Sequence, residues 1–126
     1  MIEHTNNIMI VDGLSGFIRS YSVDKSMTLD GDNCGGITGF LNCLRAWIDK
    51  LNPDCVFICW DGAGGSLRKR AIYKEYKQNR KPFFGKDLSN SSEDDKNKLW
   101  QLQTFVECMN FFPVCQIYVE SCEADD

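Results

Sequence analysis

The chain has 126 residues, a net charge of −4, 43% hydrophobic residues and 25% charged residues. A chain of this length fits one domain that removes about two-thirds of its unfolded surface from water, and the composition is ordinary for a soluble globular protein. The longest apolar run, CVFICW, has six residues, whereas a membrane-spanning helix needs about 20. These features exclude a membrane-spanning helix from the sequence, and we expect a soluble protein with no membrane partner.

The cysteine pattern argues against a structural zinc site. Seven cysteines are scattered along the chain without a CxxC pair, and His4 is the single histidine, whereas zinc sites use closely spaced thiolates or imidazoles. We expect Cys55, Cys59 and Cys115 to be small buried hydrophobic residues in a reducing compartment. A cytoplasmic location follows from this interpretation.

The net charge conceals a strong asymmetry. Between Arg68 and Lys86 there are eight basic residues and one acidic residue, Glu75, so this window carries +7 while the rest of the chain carries −11. A local cationic patch on an acidic protein indicates a binding surface for an anionic partner more clearly than the total charge does.

The first half of the chain predicts one strand and two helices. A short buried strand is predicted from Ile8 to Val11, and a short helix over LSGFIRSY. The polar, glycine-rich stretch SVDKSMTLDGDNCGG is predicted to be a loop. From Ile37 to Leu51 the apolar residues recur every three or four positions, which is typical of an amphipathic helix.

The second half predicts two strands and two helices. CVFICW (Cys55–Trp60) is typical of a strand that is covered on both faces, and a basic helix is predicted to start near Ser66. Ser92, with acidic residues directly behind it, predicts a helix N-cap; the apolar positions of that helix are Leu99, Leu102, Val106 and Met109. A third strand is predicted from Val114 to Val119. Strands separated by helices, with no repeat and no dividing linker, predict a single α/β domain with a parallel sheet and right-handed crossovers.

Acidic residues follow all three predicted strands. Asp12 follows the first and Asp61 the second, and the sequence ends with Glu123, Asp125 and Asp126. In open parallel sheets the carboxyl ends of the strands meet at one edge, where ligands bind. Converging carboxylates repel one another, so we expect a divalent cation there, and an all-oxygen ligand set favours Mg²⁺ or Mn²⁺ over zinc. A single aspartate after a strand is usually a turn former, and an acidic terminus is usually a solvated tail. Acidic residues after all three strands, at the same edge of one sheet, favour a metal site.

The basic window forms two stripes when it is placed on a helix. SLRKRAIYKEYKQNRKP then carries one cationic stripe of Arg70, Lys74, Lys77 and Lys81, and beside it a mixed stripe of Lys69, Tyr73, Tyr76 and Arg80. A phosphate backbone favours the cations, and aromatic rings add about 1–3 kcal/mol for each unpaired base that stacks on them. The alternative is a solvated helix whose tyrosines pack inward. The near absence of compensating acids favours nucleic-acid binding.

In order and spacing, these segments resemble the 5′-nuclease superfamily. The residues that carry the resemblance are IVDG, GFLNCLRAWIDKLNPDCVFICWDG, LRKR with YKEYKQNRKP, and ESCEADD, from about Ile8 to Asp126. The superfamily includes the 5′–3′ exonuclease domain of bacterial DNA polymerase I, phage 5′-exonucleases and flap endonucleases. The resemblance implies a PIN-like α/β fold with a parallel central sheet and a basic helical arch, here at about residues 66–98. It also implies metal-dependent cleavage of DNA or RNA near a 5′ end or flap, in replication or repair.

The resemblance implies roles for individual residues. The metal ligands, direct or through water, would be Asp12, Asp61, Glu123, Asp125 and Asp126. The basic residues at the base of the arch would be Arg68, Lys77 and Arg80. Of these, Lys77, nearest the scissile phosphate, and Arg68 would be catalytic. The stripes of the basic helix supply the expected nucleic-acid contacts Arg70, Tyr73, Lys74, Tyr76, Arg80 and Lys81, and the resemblance implies that a terminal nucleotide stacks on Tyr76. Two Mg²⁺ or Mn²⁺ ions about 4 Å apart would activate water and neutralise the leaving oxygen.

The sequence departs from the family pattern at its end. Members of the family continue past the EADD motif with a second pair of aspartates and a helix–hairpin–helix region, and residues 1–126 contain neither. We therefore expect the N-terminal portion of a 5′-nuclease catalytic domain, either as a fragment or as one chain of a split nuclease with a separate C-terminal half. The expected partners are DNA with a 5′ end or flap and RNA–DNA hybrids.

Two alternative functions remain open at this point. The chain as it stands would be a non-catalytic nucleic-acid-binding or assembly subunit of a split nuclease, because the second acid pair is missing. A phosphotransferase of the HAD type would need an Asp-x-Asp motif after the first strand, and this chain has Asp12-Gly13-Leu14, which disfavours that reaction.

Overall fold

The computed structural model describes residues 6–62 and 92–125. In chain order the elements are β1 (Ile8–Asp12), α1 (Gly13–Val23), α2 (Gly35–Leu51), β2 (Cys55–Trp60), α3 (Glu93–Met109) and β3 (Cys115–Tyr118). The three predicted strands and three of the predicted helices are confirmed. The predicted basic helix near Ser66 and the segment that follows it lie outside the described residues.

The described strands form one parallel sheet in the order β1-β2-β3. Asp12 at the end of β1 lies opposite Cys59 of β2, which lies opposite Ile117 of β3. The prediction of a parallel sheet is therefore confirmed, and the carboxyl ends of all three strands lie at the same edge. This edge carries the acidic segments that the sequence analysis singled out.

The hydrophobic core lies between one face of the sheet and the three helices. The strands contribute Met9, Val11, Val56 and Ile58, and the helices contribute Phe17, Phe40, Leu44, Phe105 and Met109. The rings of Phe40 and Phe105 stack with centroids 4.5 Å apart, and Trp60 contacts both rings edge-on. These contacts join α2, α3 and β2 into one unit, since buried aromatic pairs contribute more than their buried area alone.

The opposite face of the sheet is not covered by any described helix. Side chains alternate between the two faces of a strand, and on β1 the alternate residues Ile8 and Ile10 are 59% and 70% exposed. The predictions of a buried first strand and of a second strand covered on both faces are therefore wrong for the described part of the chain. The apolar runs correctly predicted the strands, but they also predicted cover on both faces of the sheet, and the described helices cover only one.

The cysteines show the same difference. Cys55 and Cys115 are exposed and Cys59 is half-buried, because all three point to the uncovered face of the sheet. The expectation that they are buried is wrong. All seven cysteines lie within the described ranges and none forms a disulfide there.

A buried glutamine caps the start of α2. Cys34 at the N-cap position offers no side-chain hydrogen bond; instead Gln101 of α3 accepts from the backbone N–H of Gly36 at 2.7 Å and of Ile37 at 3.3 Å. Its amide also donates to Asn97 at 2.7 Å. Helix starts need such acceptors for their orphan N–H groups, so Gln101 connects α3 to α2 by polar contacts inside the core.

The buried stripe of α3 differs from the predicted one. The buried residues are Gln101, Phe105 and Met109, so of the predicted apolar positions only Met109 is fully buried. The predicted N-cap is confirmed, since the Ser92 hydroxyl accepts from the backbone N–H of Asp95 at 3.2 Å. Among the residues that the structure describes, every helix is too short or too polar to cross a membrane.

Candidate metal site at the carboxyl edge of the sheet

Asp12 lies where β1 passes directly into α1. It is the last residue of the strand and the N-cap of the helix, and its side chain accepts from the backbone N–H of Ser15 at 3.1 Å. The helix N-terminus favours negative charge at this position. The exposed carboxylate of Asp12 is therefore held at the carboxyl edge of the sheet by local structure.

Asp61 lies one residue past β2 and contacts the acidic end of the chain. Its Oδ1 accepts from the backbone N–H of Ala124 at 2.8 Å. In the same place the backbone N–H of Gly62 donates to the carbonyl of Cys122 at 2.7 Å. The structure thus brings Asp61 together with the segment that holds the predicted ligands Glu123 and Asp125.

The close approach of these two segments requires a glycine at position 62. A Cβ atom added there would lie 1.9 Å from the carbonyl oxygen of Val119, far inside van der Waals contact. After Val119 the backbone turns, with Ser121 in the left-handed region at φ 63°, and the N–H of Cys122 donates back to Val119 at 3.2 Å. This turn returns the chain to the end of β2.

The acidic segment after β3 differs from a solvated tail. Glu123 is only 7% exposed, Ala124 is half-buried, and Asp125 is exposed. Asp126 lies outside the described residues. Because Glu123 is enclosed and the neighbouring backbone is bonded to Asp61, the tail alternative does not describe residues 122–124.

The carboxylates fit a hard divalent cation by donor chemistry. Asp12, Asp61, Glu123 and Asp125 offer only oxygen, and carboxylate oxygens are the ligands that Mg²⁺ and Mn²⁺ take in proteins. Within residues 6–62 and 92–125, no three acidic, cysteine or histidine side chains are grouped closely enough to hold a metal ion. The ligand set therefore stays a prediction from the sequence. The oxygen donors of these side chains are of the type that such a cation prefers.

The predicted nucleic-acid contacts lie outside the described residues. This holds for the catalytic pair Arg68 and Lys77 and for the remaining contacts Arg70, Tyr73, Lys74, Tyr76, Arg80 and Lys81. The described chain resumes at Ser92, so the last residues of the predicted arch, about 66–98, belong to α3.

The start of α3 is fixed to the end of α1. The Tyr21 hydroxyl donates to Asp94, and Lys98 forms ion pairs with Asp94 at 3.1 Å and with Asp95 at 3.6 Å. Burial and, after it, the hydrogen bond to Asp94 raise the pKa of Tyr21 to about 12. The same hydrogen bond lowers the pKa of Asp94. These contacts position the first turn of α3 against α1.

Sequence reasoning did not foresee how the segments that carry Asp61 and Glu123 are connected. The hydrogen bond between Asp61 and Ala124 joins residues 63 positions apart, and no local sequence pattern predicts it. One signal was available: Gly62 follows Asp61 directly after an apolar strand, and glycine after a strand allows another backbone to approach closely.

The chain matches a known protein family over nearly its whole length. The model of the family described as 5′–3′ exonuclease, N-terminal resolvase-like domain, matches residues 7–126. DNA polymerase I of Caldicellulosiruptor bescii is 29% identical over 120 residues, which is 94% of this chain and 13% of that protein. Flap endonuclease Xni of Shewanella loihica is 32% identical over 77 residues, which is 61% of this chain and 28% of that protein.

Solved structures show the same fold. The D15 protein of phage T5, co-crystallised with metal ions, superposes with a TM-score of 0.64 at 17% identity, covering 95% of this chain and 41% of that protein. The D15 flap endonuclease in a complex with DNA and metal ions gives a TM-score of 0.60. The fold is therefore the predicted α/β, PIN-like fold, and the chain spans less than half the length of these proteins.

Proposed function

The chain belongs to the family of 5′–3′ exonuclease N-terminal resolvase-like domains, and we propose that it supplies the first half of a divalent-metal-dependent 5′–3′ exonuclease or flap endonuclease site. Its substrate is DNA with a 5′ end or flap, and RNA primers paired to DNA are a second substrate. The remaining half of the domain comes from further polypeptide, continuous or separate. The free thiols suit a reducing compartment, and we place the protein in the cytoplasm.

The observation that carries this proposal is the bond between Asp61 and Ala124 at 2.8 Å. It ties the acidic segment after β3 to the acid after β2, at the edge where the β1 acid Asp12 also lies. In parallel α/β sheets this edge is where ligands bind. Metal ions and DNA in the phage T5 structures support the same chemistry.

We assign the metal ligands to Asp12, Asp61, Glu123, Asp125 and Asp126. Two bound Mg²⁺ or Mn²⁺ ions would supply a nucleophilic hydroxide and neutralise the leaving oxygen. Asp12 and Asp61 each accept one backbone N–H, which fixes the carboxylates before a cation binds. The repulsion between the acids also disfavours the empty site relative to the loaded one.

The basic segment supplies the contacts to the substrate. We assign Lys77 and Arg68 to stabilising charge on the scissile phosphate. Arg70, Lys74, Arg80 and Lys81 hold the phosphate backbone, and Tyr73 and Tyr76 stack on unpaired bases. DNA affinity should therefore fall steeply as the salt concentration rises.

A second candidate function is a non-catalytic subunit that binds nucleic acid or organises a split nuclease. It is favoured by one observation: the described residues contain no group of three potential ligands placed to hold a metal ion. In that case the chain binds flap DNA but never contributes an essential metal ligand.

The test uses a fusion that supplies the missing portion. In this T5 fusion, residues 1–126 are followed by the part of the phage T5 D15 protein that lies beyond its structural match to this chain. Cleavage of a 5′-flap duplex in Mg²⁺ is measured for the chain, for the T5 fusion and for the phage portion alone. We expect cleavage by the fusion that EDTA abolishes, and none by the phage portion.

Substitution of Asp61 then separates the two candidates. Asp61→Asn keeps an oxygen that accepts from Ala124, so the fold is retained while the charge is lost. We expect kcat of the fusion to fall about 100-fold or more, whereas Asp30→Asn in the exposed loop leaves it unchanged. Full activity in Asp61→Asn would refute the nuclease proposal. Flap binding without any cleavage by the unsubstituted fusion would establish the non-catalytic subunit.

A further inference from the structure

The indole of Trp60 lies at the carboxyl edge of the sheet, on the side that carries the core. Trp60 is the last residue of β2 and directly precedes Asp61. The rings of Phe40 on α2 and Phe105 on α3 contact it edge-on, with centroids 6.5 Å and 6.0 Å away. Because close-packed aromatic rings have little room to rotate, the indole is held by both helices.

A hydrogen bond to Gln116 fixes the direction of this ring. The indole Nε1–H donates to Oε1 of Gln116 on β3 at 2.9 Å. The amide nitrogen of the same glutamine donates to the carbonyl of Val106 at 3.0 Å and to Oδ1 of Asn110 at 3.0 Å. Both amide hydrogens are thus used at the end of α3, and the oxygen is left to face the indole. Reversing the amide would set donor against donor at Trp60.

The six-membered ring of the indole packs against Gly13, the residue that follows Asp12. A Cβ atom added to Gly13 would lie 2.6 Å from Cε3 of Trp60 and 2.7 Å from Cζ3, so the ring fills the space that any other side chain would need. Gly13 is the first residue of α1 and is buried. Trp60 therefore joins the start of α1 to the end of β2 by direct contact.

These contacts place one rigid group between two of the proposed metal ligands. Asp12 directly precedes Gly13, and Asp61 directly follows Trp60. We propose that Trp60 is a positioning residue that sets the spacing of the Asp12 and Asp61 carboxylates for the cation. Gln116 acts through Trp60, because it fixes the direction of the ring. The inference rests on the proposed function, which assigns both aspartates as ligands.

The spacing of carboxylates decides how well they hold a small cation. Mg²⁺ takes oxygen ligands at about 2.0–2.1 Å in a nearly octahedral arrangement, so a displaced carboxylate binds it poorly. Groups that orient metal ligands without touching the metal typically change its affinity by about 10–100-fold when they are replaced. Asp61 is also held by the N–H of Ala124, so a shift of the indole should move Asp12 relative to Asp61. The affinity for the cation should report that shift even where the fold is unchanged.

Mn²⁺ binding to the T5 fusion tests the proposal without using activity. Mn²⁺ is titrated into the protein, and electron paramagnetic resonance measures the free ion, which gives a dissociation constant. Trp60→Phe keeps a ring beside Gly13 but removes the Nε1–H, and we expect the dissociation constant to rise about tenfold. Trp100→Phe makes the same chemical change at an exposed position of α3 and should leave the constant unchanged.

Substitution of Gln116 tests whether it acts through the indole. Gln116→Leu removes the acceptor and should also raise the dissociation constant about tenfold, whereas Gln103→Leu at an exposed position of α3 should not change it. Since Trp60→Phe and Gln116→Leu break the same bond, the double variant should bind Mn²⁺ no more weakly than either single variant. A rise of about a hundredfold in the double variant would mean that the two residues act independently, which overturns the role given to Gln116.

Two glycines separate positioning from a general loss of stability. Gly13→Ala would press on the indole, and Gly36→Ala would press as hard on Phe17, where the added Cβ would lie 2.7 Å from Cε2. Both variants should unfold at a lower urea concentration, and circular dichroism shows that each is folded before Mn²⁺ is added. We expect weaker Mn²⁺ binding in Gly13→Ala alone. Equal affinities in the two variants would mean that Trp60 has only a structural role.

Asp61→Asn, measured in the same titration, distinguishes failure of this inference from failure of the proposed function. If Asp61→Asn weakens Mn²⁺ binding while Trp60→Phe and Gly13→Ala do not, the ligand is supported and the positioning role is refuted. If Asp61→Asn leaves the binding unchanged, or if the folded fusion binds no Mn²⁺, the proposed ligand set is refuted and the positioning role with it.

Discussion

Replacing Gln101 by leucine should destabilise the domain through the start of α2. Gln101 is fully buried, and its Oε1 accepts from Gly36 at 2.7 Å and from Ile37 at 3.3 Å. Leucine fills a similar space but accepts nothing, so the N–H of Gly36 remains buried without a partner. An unsatisfied buried donor costs about 1–3 kcal/mol, and loss of a helix cap costs about 0.5–2 kcal/mol.

These two costs describe the same lost bonds, so they do not add. The bond to Gly36 is short and buried, which places its loss at about 2 kcal/mol, while the longer bond to Ile37 contributes less. Leucine itself recovers part of this by burying more apolar surface. We therefore expect Gln101→Leu to reduce the free energy of unfolding by about 2 kcal/mol.

Urea unfolding followed by circular dichroism measures this difference. With a slope of about 2 kcal/mol per molar urea, the midpoint should fall by about 1 M. Gln103→Leu is the matched control, because it makes the same chemical change on an exposed position of the same helix. An unchanged midpoint in Gln101→Leu, or an equal fall in both variants, would refute the capping role of Gln101.

Three further changes test the core, the strand-end contact and the titration of Tyr21. Phe105→Ala should lower the free energy of unfolding by about 3–5 kcal/mol in thermal or urea unfolding, because the ring is fully buried and stacked. Gly62→Ala should cost about 1–3 kcal/mol in the same assay, because the new methyl would meet the Val119 carbonyl at 1.9 Å. For Tyr21, the raised pKa means that its contribution to stability is complete below pH 10 and is lost as the pH rises toward about 12. Tyrosinate absorbance should show one late-titrating group that is absent from Tyr21→Phe.

The sequence predicted the parts of the fold that depend on local pattern. The helix from Gly35 to Leu51 carries its apolar residues at helical spacing, and the Ser92 hydroxyl, followed by acidic residues, caps the start of α3. The position of Asp12 and Asp61 at one edge followed from parallel topology alone. Each of these features depends either on a few neighbouring residues or on the general topology of parallel α/β sheets.

Contacts between distant segments were not predictable in this way. Gln101 looks from the sequence like a surface residue of a polar helix, yet it is buried and supplies the hydrogen-bond acceptor that the N-cap residue Cys34 does not provide. The enclosure of Glu123 depends on the backbone turn that brings Ala124 to Asp61. In both cases the decisive partner lies more than sixty residues away, and single-sequence patterns carry no information about it.

The apolar strands led to one error that is informative in itself. CVFICW was interpreted as covered on both faces, and the described helices cover one. The residues that produced the error, Cys55 and Phe57 among them, lie on the side of β2 that faces away from these helices.

Backbone contacts orient two acidic side chains at the carboxyl edge of the sheet. Asp12 and Asp61 each accept one backbone N–H, from Ser15 and from Ala124, and such a bond fixes the direction of the side chain. A carboxylate that accepts one N–H still has a second oxygen with which to meet a cation. The helix start after β1 and the turn after β3 thus hold negative charges in place by backbone contacts alone. For this reason we expect substitutions that keep the oxygen and remove the charge to separate metal binding from folding.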